Sequence, residues 1–217
     1  NLVIYQPIKG YRAATDPVLL AAACPAKEGQ HILELGCGVG TASFCLYHRV
    51  KVYLTGIEIQ KGYGDLAIKN GLANKIPFKI EICDLLKLPK EIKNSSFDHL
   101  IMNPPYYKGG TPSADNGKNK SMRIYNPLSN WIGEGLKRLK PRGWVTIINK
   151  TENLSEILIS LNNKAGDIQI KPLTSGTDEN ADRVIVRARK DSKSPTKLHP
   201  PLIIHTSNGK SKTYSNL

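Results

Sequence analysis

The sequence of 217 residues contains no apolar run approaching the roughly 20 residues with which a helix crosses a bilayer. Residues 1–12 also lack the continuous apolar stretch of a secretory signal peptide. The four cysteines show no paired metal-binding spacing, which favours free thiols in a reducing compartment. We therefore expect a cytoplasmic protein with no membrane anchor and no metal, and we expect it to be a monomer.

Negative charge is scarce, because 18 Asp and Glu stand against 31 Lys and Arg and leave a formal net charge of +13. The excess is uneven: residues 1–110 have a net charge of +4 and residues 111–217 one of +9. A basic surface binds polyanions partly by releasing the counterions condensed on their phosphates. The composition favours a nucleic-acid partner, and a plain solvated basic surface is the alternative.

Short β-rich runs alternate with helical patterns along most of the chain, as is typical of a parallel sheet flanked by helices. The predicted strands are residues 31–35, 52–57, 78–82, 97–102, 144–148, 168–172 and 184–188. The predicted helices are residues 17–23, 41–49, 62–74, 127–139 and 154–164. Seven strands with intervening helices predict an α/β fold with one doubly wound, mostly parallel sheet.

Two segments depart from this alternation. Residues 108–123 are rich in Gly, Asn, Ser and Lys, and they follow a predicted strand end, where open α/β sheets bind ligands. The second segment is a basic, proline-containing tail over residues 191–217, in which residues 202–205 could add an edge strand. We expect one domain over residues 1–190, including the loop, with the tail packed on it.

The first predicted strand runs into a glycine-rich turn, Glu34-Leu35-Gly36-Cys37-Gly38-Val39-Gly40, ahead of a helix. Glycines permit a tight turn and let a ligand lie against the backbone, so this pattern is typical of nucleotide binding. The dinucleotide fingerprint requires glycine three residues after Gly38, where this sequence has Thr41. The E-x-G-x-G-x-G pattern instead resembles the first motif of class I methyltransferases, although alone it could be a structural turn.

Acidic residues follow the next two predicted strands. Glu58 lies where a carboxylate can accept hydrogen bonds from both ribose hydroxyls of a nucleotide. Asp84 resembles the methyltransferase acid that contacts the adenine amine of the cofactor. Either acid alone could be a helix cap or a surface charge. The glycine turn, Glu58 and Asp84 follow three successive strands, however, and together they predict an S-adenosylmethionine site. The predicted cofactor-binding residues are Arg12, Glu34, Gly36, Cys37, Gly38, Gly40, Glu58, Ile59, Asp84, Leu85 and Asn103.

The fourth predicted strand leads into Asn103-Pro104-Pro105-Tyr106, where two prolines stiffen the backbone. The Asn103 side chain and the Pro104 carbonyl can accept the two hydrogens of an exocyclic amine, which aims its lone pair at the sulfonium methyl. Tyr106 offers a flat face for stacking. We predict Asn103, Pro104 and Tyr106 as the catalytic residues; in isolation, the tetrapeptide could simply be a stiff strand cap.

With these residues the chain resembles amino methyltransferases that have the N-P-P-Y signature and, more narrowly, the bacterial tRNA(Val) adenine-N6 methyltransferases. The narrower likeness rests on residues 6–16, on residues 103–110 and on a C-terminal part made of residues 183–189, 201–205 and 209–214. The resemblance implies that the target is an adenosine beside the anticodon. It also implies that residues 10–16 close over the cofactor or border the acceptor pocket; the alternative is that they only pack on the sheet. The residues expected to contact the tRNA are Tyr106, Tyr107, Lys108, Lys118, Lys120 and Arg123.

Three other functions remain open. N-P-P-Y also occurs in enzymes that methylate a glutamine amide of release factors, but those usually have an added N-terminal helical domain. A guanine-N2 rRNA methyltransferase and a catalytically silent RNA-binding subunit are the others, and the intact glycine motif with Asn103 argues against the last. Because the first residue is Asn1, we expect the natural protein to begin upstream.

Overall fold

Nine strands among the described residues form the central sheet of the protein in a computed structural model. The structure describes residues 1–10, 12–105, 126–176, 178–206 and 209–210. The strands of this sheet are β1 (His31–Leu35), β2 (Tyr53–Glu58), β3 (Phe78–Ile82), β4 (Phe97–Met102), β5 (Leu139–Lys150), β6 (Ala165–Thr174), β7 (Arg183–Lys190), β8 (Lys197–Leu198) and β9 (Leu202–Ile203). Two further strands, β10 (His205–Thr206) and β11 (Gly209–Lys210), pair with each other.

Helices cover both faces of this sheet. They are α1 (Asp16–Ala23), α2 (Thr41–Arg49), α3 (Lys61–Asn74), α4 (Lys90–Asn94), α5 (Leu128–Arg138) and α6 (Leu154–Leu161), with 3-10 turns at Leu85–Lys87 and Thr151–Asn153. None of the helices in the described ranges has the length and apolar character that crossing a membrane requires.

Alternation along the strands divides the apolar core into two layers. In β4, Leu100 packs in the cluster that contains Ile132 of α5, whereas the next residue, Ile101, packs in the cluster that contains Leu20 of α1 and Phe44 of α2. Successive side chains of a strand point to opposite faces, so a strand buried on both faces must be apolar throughout. This explains why residues 99–102 of β4 are all buried and why only His99 among them is polar.

The order of the strands is β3-β2-β1-β4-β5-β7-β6-β8, with β9 also paired to β6. Strands β1 to β5 pair in parallel, and β7 is antiparallel to both β5 and β6. The chain leaves β1 in one direction to β2 and returns to its other side as β4, and ligands bind at such a switch point. The predicted doubly wound, mostly parallel α/β fold is confirmed, but the sheet has nine described strands rather than the predicted seven, because the tail adds β8 and β9 beside β6.

The ends of some elements differ from the prediction. The fifth strand begins at Leu139 rather than at residue 144, because Leu139 pairs with Phe97 ahead of a register shift. Arg142 adopts a positive φ of 65° in this irregular part, where a periodic pattern is lost. Helix α4 was not predicted, since five residues are too few to show a helical period. Of the possible edge strand at residues 202–205, residues 202–203 join the sheet, with Leu202 pairing with Leu173.

Candidate active site

The glycine turn of residues 36–40 joins β1 to α2 at the switch point. Gly36, Gly38 and Gly40 all adopt positive φ values, of 66, 54 and 85°. A Cβ at Gly36 would lie 2.6 Å from Cη2 of Trp131, and one at Gly40 would lie 2.6 Å from Cε2 of Phe44, but nothing lies within 4 Å at Gly38. Packing therefore encloses the two ends of the turn, while its middle is open to an approaching ligand.

The carboxylate of Glu58, at the end of β2, is held against this turn by backbone amides. Its Oε2 accepts a hydrogen bond from the Gly38 amide at 2.9 Å, and its Oε1 accepts one from the Gln60 amide at 2.8 Å. Glu58 is 6% exposed, and this burial raises the pKa of its carboxyl above the ordinary value. Each carboxylate oxygen has a second lone-pair site, so both can also accept from a ribose hydroxyl.

Glu34 lies beneath the turn rather than on its open side. Its Oε2 accepts hydrogen bonds from the Ser43 hydroxyl and, at 3.1 Å, from the Ser43 amide in the first turn of α2. Burial raises the pKa of Glu34 to about 8, and the nearby charge of Glu58 adds to this rise. Of the predicted cofactor residues, Glu34 is thus placed to support the turn through α2.

The end of β3 brings Asp84 to the same edge of the sheet. The Cys83 amide donates to the Glu58 carbonyl at 2.9 Å, which fixes this strand end beside that of β2. Oδ1 of Asp84 caps the following 3-10 turn by accepting from the Leu86 amide at 2.9 Å. The Asp84 carboxylate therefore caps a turn, which was the alternative to a cofactor contact. It lies at the same edge of the sheet as Glu58.

The other predicted cofactor residues differ in exposure. Ile59 is 37% exposed next to Glu58, whereas the side chains of Cys37 and Leu85 are buried. Those two residues can therefore offer a ligand little more than their backbone. Arg12 is exposed in the segment ahead of α1.

Asn103, Pro104 and Pro105 follow β4, and the two prolines border a pocket that the sequence analysis did not predict. Asn103 is half-buried. The pocket is lined by Pro104, Pro105, Asn126, Leu128, Trp131, Asn149, Asn153 and Glu156. The predicted residues Tyr106, Tyr107, Lys108, Lys118, Lys120 and Arg123 lie outside the described residues.

Side-chain hydrogen bonds organise the wall of this pocket. The buried Asn149, near the end of β5, accepts at its Oδ1 from Asn153 Nδ2 at 2.8 Å and from the Lys150 amide at 2.8 Å. Oε1 of Glu156 accepts from the Ser129 amide at 3.3 Å. These residues come from β5, α5 and the region of α6. Because they are far apart in sequence, no local motif predicts that they meet. Within the described part of the chain, no three His, Cys, Asp or Glu side chains gather as metal ligands.

The first residue of α1 and the residue before it are tied to the same edge of the sheet by Arg183. Arg183 Nη1 pairs with Asp16 and donates to Thr15 Oγ1 at 3.2 Å. Because β7 runs antiparallel to β5 and Arg183 pairs with Lys150, Arg183 lies where the parallel strands end. Asp16 therefore anchors the start of α1 to the sheet, and the resemblance alone did not indicate Arg183 as its partner.

Residues 14–170 match the model of the methyltransferase small domain family. The chain belongs to this family. A tRNA1(Val) (adenine(37)-N6)-methyltransferase from Shewanella sediminis is 30% identical over 156 residues, which are 68% of this chain and 63% of that relative. A relative of the same description from Porphyromonas gingivalis is also 30% identical, over 67% of this chain and 61% of its own length. The chain thus spans less than two thirds of the length of these relatives.

Solved structures show the same fold at low sequence identity. A protein described as a predicted O-methyltransferase from Agrobacterium tumefaciens has a TM-score of 0.77 and 21% identity, over 93% of this chain and 94% of its own. A methyltransferase from Pyrococcus furiosus has a TM-score of 0.62 and 18% identity, over 87% and 89%. Membership of this family and the shared fold confirm the predicted class I methyltransferase fold, and they agree with the prediction of S-adenosylmethionine as the cofactor.

Proposed function

We propose that this protein transfers the methyl group of S-adenosylmethionine to the N6 amine of an adenine in tRNA. One juxtaposition carries the proposal: Leu35, the residue before Gly36, pairs with Met102, the residue before Asn103. The glycine turn and the proline-stiffened segment therefore begin side by side at the switch point of the sheet. This is where a bound methyl donor and its acceptor have to meet.

On the cofactor side, the described residues suit a nucleoside with a sulfonium. The open face of Gly38 gives it backbone to lie against, and Glu58 has lone pairs left for the ribose hydroxyls. Asp84 at the next strand end would meet the adenine amine. When bound, the cofactor supplies an electrophilic methyl group on sulfur. The protein supplies the position of that methyl group.

On the acceptor side, Asn103 and the Pro104 carbonyl would accept the two N–H hydrogens of the adenine amine. Holding both hydrogens turns the nitrogen lone pair away from conjugation with the ring and toward the methyl group. Tyr106 would stack on the base. No strong base is required, because the amine becomes acidic once it is methylated and its proton can leave to water.

Two observations favour tRNA as the source of the adenine. Both relatives described above are tRNA1(Val) adenine-N6 methyltransferases by name. The net charge of +13 favours a phosphate-rich partner. We propose the adenosine beside the anticodon of tRNA(Val) as the target, with Lys108, Lys118, Lys120 and Arg123 on its phosphates. The base would have to be unstacked to reach Asn103.

The test is transfer of labelled methyl to four acceptors side by side: unmodified tRNA(Val), the same tRNA with guanosine in place of the target adenosine, rRNA and a release factor. We expect label in the first alone. Equal labelling of both tRNAs would contradict the proposed nucleotide. Labelling of the release factor instead would replace adenine by a glutamine amide, and labelling of rRNA would favour a guanine acceptor.

A further inference from the structure

Two asparagines of α3, one helical turn apart, hold the start of the chain. Asn74 accepts from the Val3 amide at 2.8 Å and donates to the Val3 carbonyl at 2.7 Å. Asn70 accepts from the Tyr5 amide at 2.7 Å and donates to the Tyr5 carbonyl at 3.1 Å. Four helical residues rise about 6 Å and two extended residues about 6.6 Å, so the spacings match. Each side-chain amide thus pairs with the segment as a neighbouring strand would.

Asn70 differs from Asn74 in having a third partner inside the glycine turn. Its Nδ2 also donates to the Val39 carbonyl at 2.9 Å, and its side chain is completely buried. An asparagine amide has two N–H donors and one carbonyl, so Tyr5 and Val39 together engage both of its polar atoms. Val39 directly follows Gly38, where the turn is open to a ligand. One buried side chain therefore joins residues 1–10 to residues 36–40.

We infer that Asn70 is a positioning residue, which couples the docking of residues 1–10 on α3 to the conformation of the cofactor turn. If the segment leaves, the Asn70 amide loses Tyr5 and no longer has a fixed orientation toward Val39. A buried polar group without its partners is unfavourable, so the docked segment and the ordered turn stabilise each other. By linkage, a cofactor that orders the turn must also strengthen the docking of the segment. The inference depends on the proposed function only in assigning residues 36–40 to the cofactor.

The matched pair Asn70→Ala and Asn74→Ala tests this inference. Both variants remove two hydrogen bonds to the N-terminal segment, but only Asn70→Ala also removes the bond to the turn. We expect Asn70→Ala to weaken S-adenosylmethionine binding about tenfold, and Asn74→Ala to change it by less than about twofold, as measured by calorimetry. In steady-state assays, the KM for the cofactor should rise in Asn70→Ala, while kcat stays within about threefold because Asn103 is untouched.

Hydrogen exchange in the unaltered protein gives a second test, independent of how well a variant folds. Adding S-adenosylmethionine should slow the exchange of the Tyr5 amide, whose acceptor is Asn70. The cofactor should slow exchange at Val3 less, because the side chain of Asn74 bonds to Val3 and to the Asn70 carbonyl rather than to the turn. If exchange at Tyr5 does not respond to a saturating cofactor, the coupling is refuted.

A Glu58→Ala variant separates failure of this inference from failure of the site itself. If Glu58→Ala leaves cofactor affinity unchanged, the turn is not the cofactor site, and the proposed function and this inference both fail. If Glu58→Ala weakens binding but Asn70→Ala and Asn74→Ala bind the cofactor equally well, the site stands and the role of Asn70 is wrong. A specific loss in Asn70→Ala supports the coupling.

Discussion

The cofactor side of the candidate active site consists mainly of backbone groups and one carboxylate, whereas the acceptor side consists mainly of side chains. On the cofactor side, the Glu58 carboxylate and the Val39 carbonyl are fixed by backbone amides and one helical asparagine. On the acceptor side, the pocket beside Pro104 is lined by residues of several separate elements, among them Trp131 of α5 and Asn149 of β5. The shape of the cofactor side is therefore set by the glycine turn, and that of the acceptor side by the side chains of the surrounding elements.

This difference suggests where the specificity of the enzyme resides. A turn whose ligand-facing groups are mostly backbone can bind the same cofactor in many proteins, because few side chains have to be kept. A wall of side chains can be exchanged residue by residue without altering the fold, and so it can be adapted to one acceptor. We therefore expect changes on the cofactor side to affect affinity for S-adenosylmethionine, and changes on the acceptor side to affect transfer.

The largest effect should follow from Asn103→Ala. Its amide oxygen is expected to hold the acceptor amine in the transition state, so the rate of methyl transfer should fall on the order of a hundredfold or more. Cofactor affinity should stay nearly unchanged, as measured by calorimetry beside a single-turnover assay. Asn153→Ala, in the pocket beside Pro104, is the control and should affect transfer much less. Full turnover in Asn103→Ala would show that Asn103 does not hold the acceptor amine.

A smaller effect should follow from Glu58→Ala on the cofactor side. Losing a charged hydrogen-bond acceptor costs about 1.5–3 kcal/mol, or about 10- to 150-fold in affinity for S-adenosylmethionine. At saturating cofactor the transfer rate should largely recover, unlike that of Asn103→Ala. Glu81→Ala is the matched control, since Glu81 lies in neighbouring β3 and pairs with Lys79. Equal affinities of the two variants would remove Glu58 from the site.

Much of the fold could be predicted because its signals are local. The strands at residues 31–35, 78–82 and 97–102 and the helix at residues 41–49 have the predicted ends, since each is an apolar run or a periodic stretch next to glycine, proline or charge. The long β5 was underestimated, because its first residues are polar and its pairing with β4 shifts register. Such pairing depends on a strand about forty residues away, which no local pattern reports.

Some residues of the candidate site could likewise be predicted from local sequence patterns, and others could not. Glycine spacing and strand-end acids located Gly38, Glu58 and Asp84, because a parallel sheet brings consecutive strand ends together. Asn70 and Arg183 could not be found, since their partners Val39 and Asp16 are 31 and 167 residues away in sequence. Asn70 looked like any polar residue of a helix. Its role depends on burial and on two segments that meet only in the folded protein.

The smallest effect concerns the support of the cofactor turn and is measured as stability against pH. Burial raises the pKa of Glu34 to about 8, whereas an unfolded glutamate titrates near 4.5. Between these values the folded state retains a proton that the unfolded state has lost, so stability falls as pH rises. Burial also lowers the pKa of His99 to about 4 from its ordinary 6.5, which gives a slope of opposite sign below pH 6.5. The contribution of Glu34 is therefore unopposed by His99 between about pH 6.5 and 8.

In that window the free energy of unfolding should fall with rising pH, by up to about 1.4 kcal/mol per pH unit from Glu34 alone. Glu34→Gln cannot ionise and still offers an oxygen to Ser43, so urea denaturation of this variant should show a flatter slope between pH 6.5 and 8. His99→Gln is the control: it should retain the fall above pH 6.5 and lose its own contribution below. If Glu34→Gln and the unaltered protein have parallel slopes in the window, Glu34 is already ionised there. The turn would then rest on a buried charge held by Ser43, and cofactor affinity should fall in Glu34→Gln because an uncharged amide accepts those hydrogen bonds more weakly.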